Sequence, residues 1–276
     1  MLGKVIGIVG LLVLNGTTAL AQSADCVAAN EFATVEPGKL TARFYEYAPY
    51  TTLDKSGVAQ GIDIEILKII AEENCLTLDA SVVDPAATIQ SVVTGKADIA
   101  VGGWNRTEKR AEVVGISLPI NLAPMGMWSK DGTNTVEALT DKKVGTVSGY
   151  MWVEEVRKMF GSDFNLYPNR IALHQDLQSG RIEVALDGYI AGTYAKKQGA
   201  YPDLRVEMVS KPDERIQASV FPPQTGILYT KENEALGKAI DDVVTRLKAE
   251  GKITELLVSF GLDASLSDTG EARLVK

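Results

Sequence analysis

The stretch that decides the fold is Gly95-Lys96-Ala97-Asp98-Ile99-Ala100-Val101-Gly102-Gly103-Trp104-Asn105-Arg106-Thr107-Glu108-Lys109-Arg110. Its pattern predicts a turn, a buried strand over 97–101, an irregular loop over 102–105 and a short helix capped by Thr107. Ligands of α/β sheets bind beyond the carboxyl ends of strands, where this loop falls. Its glycines allow close backbone approach, and the Arg110 guanidinium can hold a carboxylate with two parallel hydrogen bonds. The stretch therefore predicts an α/β fold with a ligand-binding loop.

Strand-like and helical patterns alternate on both sides of this stretch and start again after about residue 125. The predicted strands are 39–44, 76–82, 97–101, 143–147, 164–167, 184–186 and 226–230. The predicted helices cover 62–73, 85–94, 153–160, 171–179, 189–197, 236–247 and 253–260. This order indicates mostly parallel sheets covered by helices, arranged either as one large sheet or as two lobes. The polar residues 264–276 show no periodicity and are expected to be frayed.

The first residues are typical of a secretory signal peptide. Lys4 precedes a short apolar run over 5–14, and the segment ends in Ala19-Leu20-Ala21. We expect cleavage after Ala21 and export to the periplasm. The alternative interpretation is a buried N-terminal helix.

Composition limits the kinds of partner. The chain has 28 basic and 36 acidic side chains, and removing residues 1–21 deletes one Lys and no acid, which leaves a charge of −9. Binding of nucleic acid or anionic lipid needs clustered basic residues, so neither is expected. Nucleotide loops are absent from the sequence, and one histidine, His174, gives a zinc site little support. We predict no metal, no cofactor and no catalytic residue.

Cys26 and Cys75 are the whole cysteine complement. An oxidising compartment favours a disulfide between them, which would tie the mature N-terminus to the end of the first helix. The alternative is a pair of buried thiols.

Residues 95–110 resemble the signature of the family-3 solute-binding proteins, the periplasmic polar-amino-acid-binding proteins of ABC importers. Five further stretches follow the family pattern in the correct order: 47–50, 61–65, 113–119, 142–149 and 180–187. The resemblance implies the two-lobed type II periplasmic-binding-protein fold, with a hinge of two crossing strands near 120–124 and 221–224. Lobe 1 would comprise 24–121 plus 226–276, and lobe 2 would comprise 122–225.

The resemblance also implies roles for individual residues. Arg110 would hold the ligand α-carboxylate, and backbone groups of Gly103 and Asn105 would complete the polar contacts of the first lobe. Tyr47 would lie against the ligand side chain, and Asp187 or a neighbour would accept from the ligand ammonium. Read without the resemblance, Arg110 fits a surface position, Tyr47 fits core packing, and Asp187 fits the cap of the helix near residue 189.

The sequence departs from the family pattern after Gly149, where Tyr150-Met151-Trp152 replaces the usual hydroxyl residues. Trp104 likewise replaces a smaller side chain. We expect at least two of the rings of Tyr47, Trp104, Tyr150 and Trp152 to line one cleft, and Met151 to be a further ligand-binding residue. Such a wall suits an apolar, aromatic or cationic ligand side chain and predicts a bulkier ligand than an ordinary polar amino acid.

The leading hypothesis is a monomeric binding protein that closes around a small zwitterionic ligand and delivers it to the permease subunits of an ABC transporter. The alternative is a cyclohexadienyl-dehydratase-like enzyme on the same fold. That enzyme needs an acid in the cleft, and the sequence offers no candidate beyond Asp187.

Overall fold

The computed structural model describes residues 26–161 and 164–275. The expected signal peptide over 1–21 lies outside the described residues. The strands are β1 Lys39–Phe44, β2 Thr52–Leu53, β3 Ala59–Gln60, β4 Thr77–Val82, β5 Ile99–Val101, β6 Gly115–Ile116, β7 Met125–Ser129, β8 Val144–Val147, β9 Asn165–Tyr167, β10 Val184–Gly188, β11 Arg205–Met208 and β12 Leu228–Tyr229. The helices are α1 Ile62–Glu73, α2 Pro85–Val93, α3 Glu108–Ala111, α4 Val153–Phe160, α5 Arg170–Ser179, α6 Tyr189–Lys197, α7 Gln217–Val220, α8 Glu234–Ala249 and α9 Lys252–Ser259.

Two five-stranded sheets form two lobes. The first sheet has the order β4-β1-β5-β12-β6, in which β1 is parallel to β4 and β5 while β12 is antiparallel to its neighbours. The second has the order β11-β7-β10-β8-β9, in which β7 is antiparallel to β10 and β11. The expectation of mostly parallel sheets is therefore wrong, because both are mixed. The sequence patterns missed β7, since Met125–Ser129 contains none of the β-branched residues that marked the other fully buried strands.

The hydrophobic core of the first lobe forms between the sheet and helices α1, α8 and α9. Helix α1 covers the range predicted for it, and Ile62, Ile66 and Ile70 are fully buried on the sheet. The core of the second lobe gathers around Trp128 and Leu186, which are also fully buried. Each lobe thus has a core of its own, as expected for two α/β units.

Two antiparallel segments cross between the lobes. The amide of Ile120 donates to the carbonyl of Thr225 at 2.9 Å, and the amide of Ala123 donates to the carbonyl of Pro223 at 2.7 Å. Leu122 pairs with Gln224 between these two bonds. The hinge thus consists of two hydrogen-bonded crossing segments.

The expectation that residues 264–276 are frayed is wrong for the described part, which is hydrogen-bonded across the hinge. Gln224 is fully buried, and its side-chain amide donates to the carbonyls of Thr269 and Glu271 at 2.9 and 2.7 Å. The guanidinium of Arg106 donates to the carbonyl of Arg273 at 2.6 Å. The tail satisfies polar groups buried in the hinge, and this role leaves no periodicity in its sequence.

The structure confirms the disulfide between Cys26 and Cys75, which are 49 residues apart. Closing a loop of that length in the unfolded chain stabilises the folded state by about 4 kcal/mol in the chain-entropy description. Between residues 26 and 275, outside the gap at 162–163, no helix combines the length and apolar character that crossing a bilayer requires.

Candidate functional site

A cleft of about 960 Å³ is lined by residues of both lobes. The first lobe contributes the loops after β1 and β5, and the second contributes the loops after β8 and β10. The structure places in its wall seven of the eight residues predicted to bind ligand: Tyr47, Gly103, Trp104, Asn105, Arg110, Tyr150 and Met151. The eighth, Asp187, lies behind the wall. The carboxyl ends of strands thus converge on one cleft, as the sequence predicted.

Asp63 at the start of α1 fixes the loop after β5. Its Oδ2 accepts hydrogen bonds from the amides of Gly102 and Gly103 at 2.9 and 2.8 Å. Both glycines have positive φ, and a Cβ on Gly103 would lie 2.5 Å from the Tyr50 ring. The amide of Gly103, one of the backbone groups expected to contact the ligand, is therefore committed to Asp63. Sequence reasoning did not assign this role to Asp63, although an acid within the apolar face of a predicted helix was a signal.

We predict a pH dependence of stability from Asp63. The side chain is 1% exposed. Burial raises the pKa of its carboxyl to about 6, although the two amide hydrogen bonds act to lower it. A raised pKa means that the folded state holds the proton more tightly. The free energy of unfolding is therefore highest below about pH 4, where Asp63 is protonated in both states. It falls by about 3 kcal/mol as the pH rises through 6.

Urea unfolding at several pH values checks this prediction against Asp63→Asn, whose amide oxygen can accept the same bonds without titrating. Wild-type stability should fall relative to the variant between pH 4 and 7. Parallel stability profiles of the two proteins would contradict it.

Arg110 lies on α3, as the capping pattern predicted. The Thr107 hydroxyl accepts from the Arg110 amide at 3.2 Å. The guanidinium lies 4.8 Å above the centre of the Trp104 ring, and its Nη1 donates to the carbonyl of Asn105 at 2.6 Å. Stacking and this bond orient the group at the cleft surface, and among the described residues its Nε and Nη2 have no hydrogen-bond acceptor.

Aromatic rings form much of the cleft wall. In the first lobe, the ring of Tyr45 lies 5.0 Å from Trp104 and 5.7 Å from Tyr47. In the second, Tyr150 and Trp152 make an edge contact at 5.1 Å. The Trp152 indole donates into its own lobe, to Thr146 at 2.9 Å. At least two of the rings named from the sequence line the cleft.

Asp187 is enclosed by protein partners. Its Oδ2 lies 2.8 Å from both Arg170 Nε and His174 Nε2, and its Oδ1 accepts from the Tyr150 hydroxyl at 2.8 Å. The carboxylate is fully buried. Burial alone would raise its pKa, but the His174 hydrogen bond and the Arg170 charge outweigh burial and lower the pKa to about 2. Asp187 does not cap α6 either, because that helix begins after Gly188 without a side-chain cap.

Arg170 is a charged cleft residue that sequence reasoning missed. It opens α5, just beyond the carboxyl end of β9, and its guanidinium lies 5.9 Å from the ring centres of Tyr47 and Trp128. Its position beyond a strand end was the available signal. Its charge pairs with Asp187, and only the structure shows that pair.

His174 was interpreted as a surface or core residue, and the structure places it in the core. It is stacked on Trp128 at 4.3 Å and sits 3.1 Å from the Tyr201 hydroxyl. In the part of the chain that the structure describes, no three His, Cys, Asp or Glu side chains come together as metal ligands would.

Two mixed α/β lobes, a two-segment hinge and a cleft between strand ends define the type II periplasmic-binding-protein fold. The profile of the bacterial extracellular solute-binding proteins, family 3, matches residues 42–262. The chain belongs to this family.

Individual relatives are distant but cover most of the chain. A probable histidine-binding protein of Neisseria gonorrhoeae is 23% identical over 236 residues, which cover 81% of this chain and 84% of the relative. The lysine/arginine/ornithine-binding periplasmic protein of Escherichia coli K12 is 25% identical over 212 residues, which cover 74% and 80%.

Solved structures agree on the fold. An ancestral cationic amino acid solute-binding protein superposes with a TM-score of 0.67 at 20% identity, covering 82% of this chain and 96% of the other. A substrate-binding protein of an amino acid ABC transporter from Streptococcus pneumoniae, bound to L-arginine, gives 0.63 at 26% identity, covering 83% and 96%.

Proposed function

We propose that this chain captures an amino acid or amino-acid-like solute in the cleft between its lobes and delivers it to an ABC importer. The observation that carries the proposal is Arg110, whose guanidinium lies at the cleft surface on the loop and helix of the family signature. Its Nε and Nη2 can grip a carboxylate with two parallel hydrogen bonds. Relatives named as amino-acid-binding proteins support the same conclusion.

Ligand would be captured by closure of the two lobes, 24–121 plus 226–276 and 122–225. Arg110 and Trp104 approach the cleft from one lobe, while Tyr150 and Met151 approach it from the other. A ligand that contacts both sets stabilises the closed form, because only that form makes all of the contacts. The permease subunits would then recognise the closed, loaded monomer.

The site of action would be the periplasm, after removal of residues 1–21. The disulfide supports this location, since such bonds persist in oxidising compartments. Membership of an extracellular family supports it as well.

The test is a ligand screen on the chain that begins at Gln22. Amino acids and related acids are added while the melting temperature and tryptophan fluorescence are recorded. A ligand raises the melting temperature because it binds the folded state, and closure around Trp104 changes its emission. Trp104→Phe should lose most of the fluorescence change but still show a rise in melting temperature, because phenylalanine keeps an aromatic face beneath Arg110. Absence of any effect across the set would contradict the proposal.

We infer no enzymatic activity. The related proteins are named as binding proteins. Asp187, the acid that the dehydratase alternative would use, is fully buried with both oxygens hydrogen-bonded.

A further inference from the structure

The two arginines of the cleft each keep part of the guanidinium for a ligand. Arg110 uses Nη1 on the carbonyl of Asn105, and Arg170 uses Nε on the carboxylate of Asp187. Among the described residues, the other guanidinium nitrogens have no hydrogen-bond acceptor. Arg110 thus retains its Nε/Nη2 edge and Arg170 its Nη1/Nη2 edge, and either pair of N–H groups can hold one carboxylate.

These arginines stand at the two ends of a row of aromatic rings. At one end, the Arg110 guanidinium lies 4.8 Å from the centre of the Trp104 ring. The Tyr45 ring lies 5.0 Å from Trp104 and 5.7 Å from Tyr47. At the other end, the Arg170 guanidinium lies 5.9 Å from the centre of the Tyr47 ring. Burial raises the pKa of the Tyr45 hydroxyl, and both guanidinium charges act to lower it. Both cations are therefore close enough to act on one ring in the middle of the row.

The cleft offers few acceptors for a cationic ligand. Its lining side chains carry three positive charges, on Lys109, Arg110 and Arg170, and one negative charge, on the exposed Glu112. Asp187, an enclosed acid that contacts the cleft residues Tyr150 and Arg170, has both oxygens occupied. The other buried acid of the site, Asp63, is not part of the wall.

Two of the cleft rings are already covered by cations of the protein. Its own guanidinium groups lie over Trp104 and Tyr47, which removes two of the faces that a lysine-like or arginine-like ligand side chain would stack on. The indole N–H of Trp104 is itself buried, with no acceptor among the described residues, and offers no acceptor to a cationic ligand. The first-lobe wall therefore carries more cationic than anionic side chains, and two of its aromatic rings already contact cations of the protein.

We propose that the ligand is an amino-acid-like dicarboxylate, with one acidic group held by Arg110 and the second held by Arg170. This inference rests on the proposed function and adds its substrate class. Asp187 fixes the Nε side of Arg170 and so aims the opposite edge at the second carboxylate. The ligand bridges the lobes, because Arg110 belongs to the first lobe and Arg170 to the second.

Calorimetry with matched acid and amide pairs tests the proposal on the chain from Gln22. The dicarboxylate probes are L-aspartate, L-glutamate, L-2-aminoadipate and N-(1-carboxyethyl) amino acids. L-Asparagine and L-glutamine are the amide partners, and L-arginine, L-lysine and L-histidine form the basic set. At least one dicarboxylate should bind about 10- to 100-fold more tightly than its amide and than every basic amino acid, as expected for charge-assisted bonds to a second carboxylate.

The role of Arg170 is tested with two variants and a matched control. Arg170→Gln should reduce the preference for acid over amide to near unity, and Arg170→Lys should keep part of it. Arg157→Gln is the control, since Arg157 lies over Phe164 at 5.6 Å in the second lobe, outside the residues that line the cleft. Circular dichroism and the melting temperature verify folding.

The outcomes separate the two proposals. Tightest binding of a basic or neutral amino acid would overturn the dicarboxylate proposal and leave the proposed function standing. An acid preference that survives Arg170→Gln would overturn the role of Arg170 in it. Failure of the wild-type protein to bind any probe would contradict both proposals.

Discussion

Replacing Arg110 with alanine is expected to weaken ligand binding by about 100-fold or more, because two charge-assisted hydrogen bonds to a carboxylate are lost in a partly desolvated site. The fold should persist, since the side chain makes one hydrogen bond, to the carbonyl of Asn105, and one stacking contact, on Trp104. Arg110→Lys keeps the charge without the planar fork and should give an intermediate loss of about tenfold.

The measurement is calorimetric titration with the tightest ligand found in the screen, accompanied by melting temperatures of the free proteins. Arg157→Ala is a suitable control, because Arg157 also lies over an aromatic ring but outside the cleft wall. Unchanged affinity in Arg110→Ala would reject the carboxylate grip. A large fall in the melting temperature of the free variant would assign Arg110 a structural role instead.

Replacing Asp187 with alanine is expected to destabilise the protein by about 3 kcal/mol, since it leaves the partners of a buried ion pair without their counter-charge. Three side chains lose an acceptor together: Tyr150, Arg170 and His174. The lowered pKa of Asp187 sets the pH window. Its contribution is present above about pH 4 and is lost as the pH falls through 2.

Urea unfolding of wild type and Asp187→Ala at pH 7, and again at pH values between 4 and 2, measures this effect. The stability difference should shrink as the solution is acidified. Asp187→Asn retains an acceptor and should cost less than the alanine variant. If Asp187→Ala were as stable as wild type and changed only ligand affinity, the carboxylate would be a ligand residue after all.

What the sequence could predict depended on local information. The amphipathic spacing of isoleucines defined α1 over 62–73 because one face of that helix is buried against a sheet. The Thr107 cap and the strand before it located Arg110 on α3. Both features are determined within a few residues of chain.

What the sequence could not predict depended on partners far apart along the chain. Asp187 was expected to meet a ligand, yet the groups around it come from α5 and from the loop after β8, 13 to 37 residues away. Arg170 drew no attention because its spacing belongs to no motif. The strand β7 was missed because it lacks the β-branched residues that marked the other fully buried strands.

Hydrogen bonding of the C-terminal segment to the hinge affects how a sensor could be built from this protein. Carbonyls of Thr269, Glu271 and Arg273 accept hydrogen bonds from Gln224 and Arg106. A bulky fusion at this end would therefore perturb the hinge segments. The other end is tied by the disulfide to Cys75, just after the end of α1, and not to the hinge segments. A reporter domain that should respond to ligand binding is therefore best fused after the C-terminal segment. A linker for attaching the protein to a surface is best placed before Cys26.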